Sequence, residues 1–212
     1  MVWWRTTIVS IASVVLALAI TATVFSAAIA GLTAEESLRP FFTKILADAG
    51  ESQADAAAKF DEFYFKEFSC GDVPGCIAKP PAEGWALVFM SKTGHDFFKT
   101  VPGQGIVAVL LAIVAILMAG ETWSGRINSI GIPGIIAGVN MFLKFAAQGP
   151  LLKFAPTEAH AYLVPLLDDF FGTLMLWFGI TLVVGMVLVV IGFIVRRHES
   201  QTLKTVPQES EP

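Results

Sequence analysis

Charge is scarce in this chain. Only 15% of its 212 residues are charged, against about 25% in soluble domains, and the mean hydropathy of +0.68 agrees. By composition alone the chain belongs in a membrane. The 14 Lys and Arg are outnumbered by 18 Asp and Glu, no basic run occurs, and a nucleic-acid interface is excluded. Histidine is rare, and His95, His160 and His198 all fall outside the long apolar runs, so no axial pair for a haem stands within the bilayer. There is no His-Glu-x-x-His, no Gly-x-Ser-x-Gly and no carboxylate pair inside an apolar run, which removes the common hydrolytic motifs. No buried carboxylate for proton-coupled transport and no internal repeat occur either. The expectation is a chain that is not an enzyme and holds neither cofactor nor metal.

What the chain does have is long uncharged runs. The longest covers 170–195 and is followed at once by Arg196 and Arg197. At 1.5 Å rise per residue such a helix crosses a hydrocarbon core of about 30 Å with room to tilt. Its glycines, Gly172, Gly179, Gly185 and Gly192, recur at seven, six and seven residues. That is close to two turns each time, so they form one slowly drifting stripe where another backbone can approach. The partner is either within the chain or another subunit, and the bland reading is that glycines are simply common in spanning helices.

Three further spans precede it. The first span covers 1–31; in it an apolar run from Thr6 to Ala30 follows Trp3, Trp4 and Arg5, and Ala28-Ile29-Ala30 resembles a signal cleavage site. Its apolar core is longer than the 7–15 residues of a signal peptide, so a retained first helix is expected. The second span covers 102–120 and the third 127–148, with a short polar turn at 121–126 between them. Gly134 and Gly138 in the third make a Gly-x-x-x-Gly pair, with Gly131 one turn earlier. A loop over 149–169 and a disordered tail over 196–212 complete the order.

Residues 32–101 form the one large polar segment. Thr33 and Glu36 have capping-box spacing for a first helix to about Ala47, with Pro40 positioned to kink it. A second helix is predicted from Ser52 to about Phe68. Along it Phe60, Phe63, Tyr64 and Phe68 recur at helical spacing. This face packs within the chain, docks on a partner or lies among headgroups; the partner-facing role is the functional expectation. Cys70 and Cys76 bracket a tight Gly- and Pro-containing loop. Their spacing matches neither Cys-x-x-Cys nor a four-ligand zinc pattern, and a local disulfide is expected in an oxidising compartment. From Lys79 to Gly103, with Pro80, Pro81, Gly84, Gly94 and Pro102, a loop-rich stretch is expected. Other four-span groups do not fit: claudin-like chains carry Gly-Leu-Trp before the first cysteine and tetraspanin-like chains carry Cys-Cys-Gly, and neither is here.

Four spans put both termini on one side, and Arg5, Arg126, Arg196 and Arg197 then share it. The positive-inside rule makes that side cytoplasmic and places 32–101 outside, in a plasma or inner membrane. Inside the spans the polar candidates are Asn140 and Lys144. Lys144 snorkels outward, pairs with Asp168 or Asp169, or serves permeation; Asn140 is an interhelical hydrogen-bonding residue. The opposite face of the membrane has Lys153 against Glu158, Asp168 and Asp169, and the doublet Asp168-Asp169 favours a helix start. The fold class expected is thus an all-α integral membrane protein of four spans with a mostly helical outer domain. Its expected function is a non-catalytic structural or accessory subunit, whose partners are lipid and other membrane subunits or further copies of itself. A homo-oligomeric channel lined by the third helix is the alternative. An enzyme built on His95 and Asp96 is the weakest reading, because no nucleophile accompanies them.

Overall fold

The computed structural model describes residues 3–79, 81, 84–154 and 160–204. Among them the chain is helical throughout, with no strand: α1 (Trp3–Leu32), α2 (Glu35–Asp48), α3 (Gln53–Tyr64), α4 (Val73–Ala78), α5 (Trp85–Met90), α6 (Lys92–Ala119), α7 (Trp123–Gly138), a 3-10 turn (Val139–Phe142), α8 (Leu143–Phe154) and α9 (His160–Lys204). Four stretches are long and apolar enough to cross a membrane: Trp3–Leu32, Lys92–Ala119, Trp123–Lys153 and His160–Gln201. Pro80, Glu158 and the tail from residue 205 lie outside the described residues.

Several boundaries differ from the sequence expectation, and proline explains most of them. The second span begins at Lys92, with Pro102 inside α6. Pro133, Pro150 and Pro165 likewise sit inside α7, α8 and α9, and Pro40 neither divides nor ends α2. Proline costs a hydrogen bond, but membrane helices tolerate it where neighbours satisfy the freed carbonyl. The third span is two helices joined by the 3-10 turn rather than one helix over 127–148. The loop expected over 149–169 is largely the end of α8 and the start of α9. The fourth helix runs nine residues past Val195, so 196–204 is helix and not disordered. No Gly or Pro interrupts 193–206, and nothing in that stretch stops a helix.

The chain divides into two compact units. The first comprises residues 1–21, 105–141 and 176–212, the second 22–104 and 142–175. The first unit has a core of Ala12, Leu16, Ala112 and Ile116, with Ile20, Val109 and Ile130 packed on it. Phe178 is fully buried as well. The turn into α7 is capped twice. The Thr122 side chain accepts from Gly125 N at 3.1 Å, and the Glu199 carboxylate accepts from Trp123 N and from Ser124 Oγ at 3.2 and 2.8 Å. A carboxylate at a helix N-terminus both satisfies orphan donors and opposes the dipole.

The second unit holds two apolar clusters. One is Leu38, Phe60 and Tyr64, bordered by Phe42, Phe63 and Met90. The other is Phe68, Val73, Cys76 and Val88, bordered by Cys70, Trp85 and Phe97. Ser52 caps α3 by accepting from Asp55 N, as the sequence predicts, but α3 ends at Tyr64 rather than Phe68. The capping box at Thr33 does not form. Ala34 is the N-cap of α2 and has no side-chain bond, while the Thr33 hydroxyl donates back to the Ile29 carbonyl at 2.8 Å. Arg39 ties α2 to α3, donating to Glu35 at 2.8 Å and to Asp61 at 2.5 Å.

Candidate functional site

The residues singled out in the spans gather mainly along α7 and α9 in the first unit. Three glycines of α7 lie against α9. A Cβ at Gly134 would stand 3.2 Å from Gly185 Cα, one at Gly131 3.0 Å from Gly185 O, and one at Gly138 2.6 Å from Leu182 Cα. From the other side, a Cβ at Gly185 would stand 2.7 Å from Ile135 N and 2.8 Å from Gly131 O. Only backbones without side chains approach this closely. Gly192 is excluded from carrying a side chain by Asn128, whose amide occupies that space. The Asn128 Oδ1 is buried without a hydrogen-bond partner among the described residues.

The stripe is therefore only half used. Gly185 and Gly192 pack, whereas a Cβ at Gly172 or Gly179 would meet nothing within 4 Å. Of the two partners open for the stripe, a neighbouring helix of the chain meets Gly185 and Gly192, and among the described residues none meets Gly172 or Gly179. Each seven-residue step leaves a helix only about 20° short of two turns, but the six-residue step from Gly179 to Gly185 falls about 120° short, so Gly172 and Gly179 stand on another face than Gly185 and Gly192.

Asn140 and Lys144 do not form one polar site. The Asn140 Nδ2 donates to the Ala137 carbonyl at 2.9 Å, within its own helix turn. In the second unit the Lys144 ammonium pairs with Asp168 at 3.0 Å, and Gln148 Nε2 donates to the same Oδ1 at 3.0 Å. Of the readings open for Lys144, the ion pair is the one observed. Its i and i+4 neighbours Lys144 and Gln148 point at one carboxylate because they share a helix face.

The aromatics of the polar segment pack within the second unit. Phe60, Tyr64 and Phe68 are buried at 0%, 2% and 7% exposure, and Phe63 stacks on Phe42 at 5.2 Å between centroids. Phe60, Tyr64 and Phe68 belong to the buried clusters of the second unit and Phe63 borders one of them, each buried ring supplying about 1.5–3 kcal/mol of hydrophobic stabilisation. The Tyr64 hydroxyl donates to the Thr33 carbonyl at 3.1 Å. Burial first, and then the charges of Glu35 and Asp96, push its ionisation above the ordinary tyrosine value. Cys70 and Cys76 are joined by a disulfide, their Cα atoms 4.9 Å apart. His95 and Asp96 do not converge: His95 Nδ1 lies 3.0 Å from the Ala30 carbonyl, while Asp96 takes Lys92 at 2.5 Å.

Sequence reasoning missed three features that matter. Ser13 donates to the Ser129 carbonyl across α1 and α7 at 3.0 Å. Glu199 caps α7 from a segment assigned to a tail. Arg5 and Glu121 line a cavity of about 370 Å³ with Thr6, Ser10 and Thr122. The one legible signal was the absence of a helix breaker before Glu199.

No protein-family model, no curated protein and no solved structure matches the chain. Its class rests on the fold: an all-helical chain with four stretches able to cross a membrane.

Proposed function

We propose that the chain is a non-catalytic four-span membrane protein serving as a structural or accessory subunit of a larger membrane assembly. The observation that carries this reading is the open half of the glycine stripe. Gly179 stands on α9 between exposed Leu176 and Val183, at i−3 and i+4, and offers a flat approach that none of the described residues fills. Small residues on an unfilled face are what close helix association uses. The poor internal burial of the spans supports the same reading. Only 11% of the most apolar stretch of α1, and 11% of that of α6, is covered within the chain, leaving the rest to lipid and neighbouring helices. Both termini and the Thr122 turn are cytoplasmic and 32–101 is outside, in a plasma or inner membrane. Arg5, Arg126, Arg196 and Arg197 at one end support this orientation, as does a disulfide suited to an oxidising compartment. The test is the mass and composition of the particle extracted natively in mild detergent. Different chains at a fixed ratio are expected; a lone monomer would overturn the reading.

A second reading, a homo-oligomeric channel or pore, draws on the 3-10 interruption at Val139–Phe142 beside Asn140. Spanning helices often break where they line a polar path. A closed ring of identical copies in the same measurement would favour it. Lys144→Glu would then change ion preference, and an identical current would remove this alternative.

A further inference from the structure

We propose that the cleft between α1 and α7, at the arginine-bearing end of the spans, holds one phospholipid with an ammonium-bearing zwitterionic headgroup, of the phosphatidylethanolamine class. Two cavities adjoin there within the first unit. The polar one is the space of about 370 Å³ edged by Arg5, Thr6, Glu121 and Thr122. The other is an apolar trough of about 450 Å³ walled by Val14, Leu18, Ile132 and Ile136. Val9, Ser10 and Ser129 line both. A polar compartment at the helix ends, continuous with an apolar one along the span, has the polarity profile of a lipid: headgroup outward, acyl chain inward. The bond from Ser13 to the Ser129 carbonyl holds α1 and α7 together where the two cavities meet.

The charges select the headgroup. Arg5 and Glu121 bring one charge of each sign to the polar cavity, and among the described residues neither is used in an ion pair. Arg5 lies over the Trp4 ring at 5.4 Å. The neighbouring Arg126 is already committed, its Nε donating to the Gly120 carbonyl at 2.9 Å and its guanidinium covering Trp123 at 4.8 Å. A guanidinium recognises a phosphodiester through charge-assisted hydrogen bonds. A carboxylate beside it rewards an ammonium with N–H donors, which a choline headgroup lacks, and repels an anionic headgroup. The inference needs the spans to be in a bilayer and is independent of the subunit reading.

The experiment uses the full-length chain, purified in mild detergent, stripped of lipid and titrated separately with phosphatidylethanolamine and phosphatidylglycerol by native mass spectrometry. One phosphatidylethanolamine is expected per chain, preferred over phosphatidylglycerol by roughly tenfold, the scale of one charge-assisted hydrogen bond. Glu121→Gln should abolish that preference, and Arg5→Gln should weaken both lipids. Ile132→Trp, which fills the trough, should weaken both while keeping their order. No bound lipid, equal binding of the two lipids to the unmodified chain, or a preference that survives Glu121→Gln would overturn the proposal. Binding unaffected by Ile132→Trp would overturn it too.

Discussion

Ser13 on α1 donates its hydroxyl to the Ser129 carbonyl on α7 at 3.0 Å, and Ser129 is the residue four before Pro133. In an uninterrupted helix that carbonyl would accept the amide of residue 133, which proline does not have. One helix thus satisfies the acceptor that a proline in another sets free. Ser13→Ala should cost about 1 kcal/mol, in the range measured for interhelical bonds. With Pro133→Ala the intrahelical bond returns, and Ser13→Ala in that background should cost almost nothing. A double-mutant cycle on detergent-solubilised stability measures this; additive costs would show that the two residues act independently.

Gly185 and Gly179 differ in their surroundings by design of the helix turn, and substitution should separate folding from assembly. A Cβ at Gly185 would meet the backbone of Ile135 and Gly131, which cannot yield as a side-chain tip can. Gly185→Ala should destabilise the chain itself by about 1–3 kcal/mol, the usual cost of overpacking. Gly179→Leu meets open space and should leave the isolated chain as stable as before while displacing a partner helix. Thermal unfolding of the isolated chain, set beside native particle mass, distinguishes the two. A Gly179→Leu chain that melts early would place that glycine in an internal contact.

The four apolar runs were legible because length and lack of charge alone identify a span, and Ser52, Gly134 and Gly138 were legible because cap and small-residue spacings are local. The proline boundaries were not. Pro102, Pro133 and Pro165 read as breakers only in water, where no neighbouring hydroxyl or lipid-excluded packing keeps the helix continuous. The fate of the α3 aromatics was also beyond the sequence. An amphipathic face looks the same whether Phe42 and Leu38 cover it or a partner does, and only the pairing of α2 with α3 decides. The glycine stripe was legible as a stripe, but its period drifts on the helix, so which glycines meet α7 depends on where the two helices cross. Glu199 was hidden by composition, because a polar tail and a capped helix end use the same residues.

Tyr64 makes the second unit sensitive to alkali. Its phenol is buried and faces the negative charges of Glu35 and Asp96, so its ionisation is raised in the folded chain. Lys59, hydrogen-bonded to Glu51, is shifted in the same direction but is exposed, and such surface pairs contribute little. A raised value means that the folded state holds its proton more tightly than the unfolded state. The stability from Tyr64 is therefore complete below the ordinary tyrosine value near 10 and is lost as pH rises through the raised one. Unfolding followed between pH 8 and 12 should show a stability plateau and then a decline, with these limits set about two units either side of the ordinary tyrosine value. Tyr64→Phe should flatten that decline while lowering the plateau slightly through loss of the bond to Thr33. A decline of the same size in Tyr64→Phe would assign the alkaline sensitivity to other groups.

The Cys70–Cys76 bridge closes a loop that also has a cap of its own: Asp72 Oδ1 accepts from Gly75 N at 2.7 Å, and Gly75 leaves room for the Cys70 carbonyl. Cys76 is fully buried beside Val73 and Val88, so the bridge anchors the loop to the apolar cluster rather than decorating the surface. Closing so short a loop should stabilise by about 2 kcal/mol on chain-entropy grounds. Reduction should lower the stability of the second unit by that amount and leave helices in place, because α4 keeps its Asp72 cap. Loss of the Trp85 environment should accompany it, since Trp85 borders the same cluster. Tryptophan fluorescence and thermal unfolding with and without reductant measure both effects. Cys76→Ser should be worse than reduction, because a hydroxyl replaces a sulfur in a site with no exposure and must find an acceptor there. Equal stability in the reduced and oxidised chain would mean that the Asp72 cap and the Val73–Val88 packing alone define the loop.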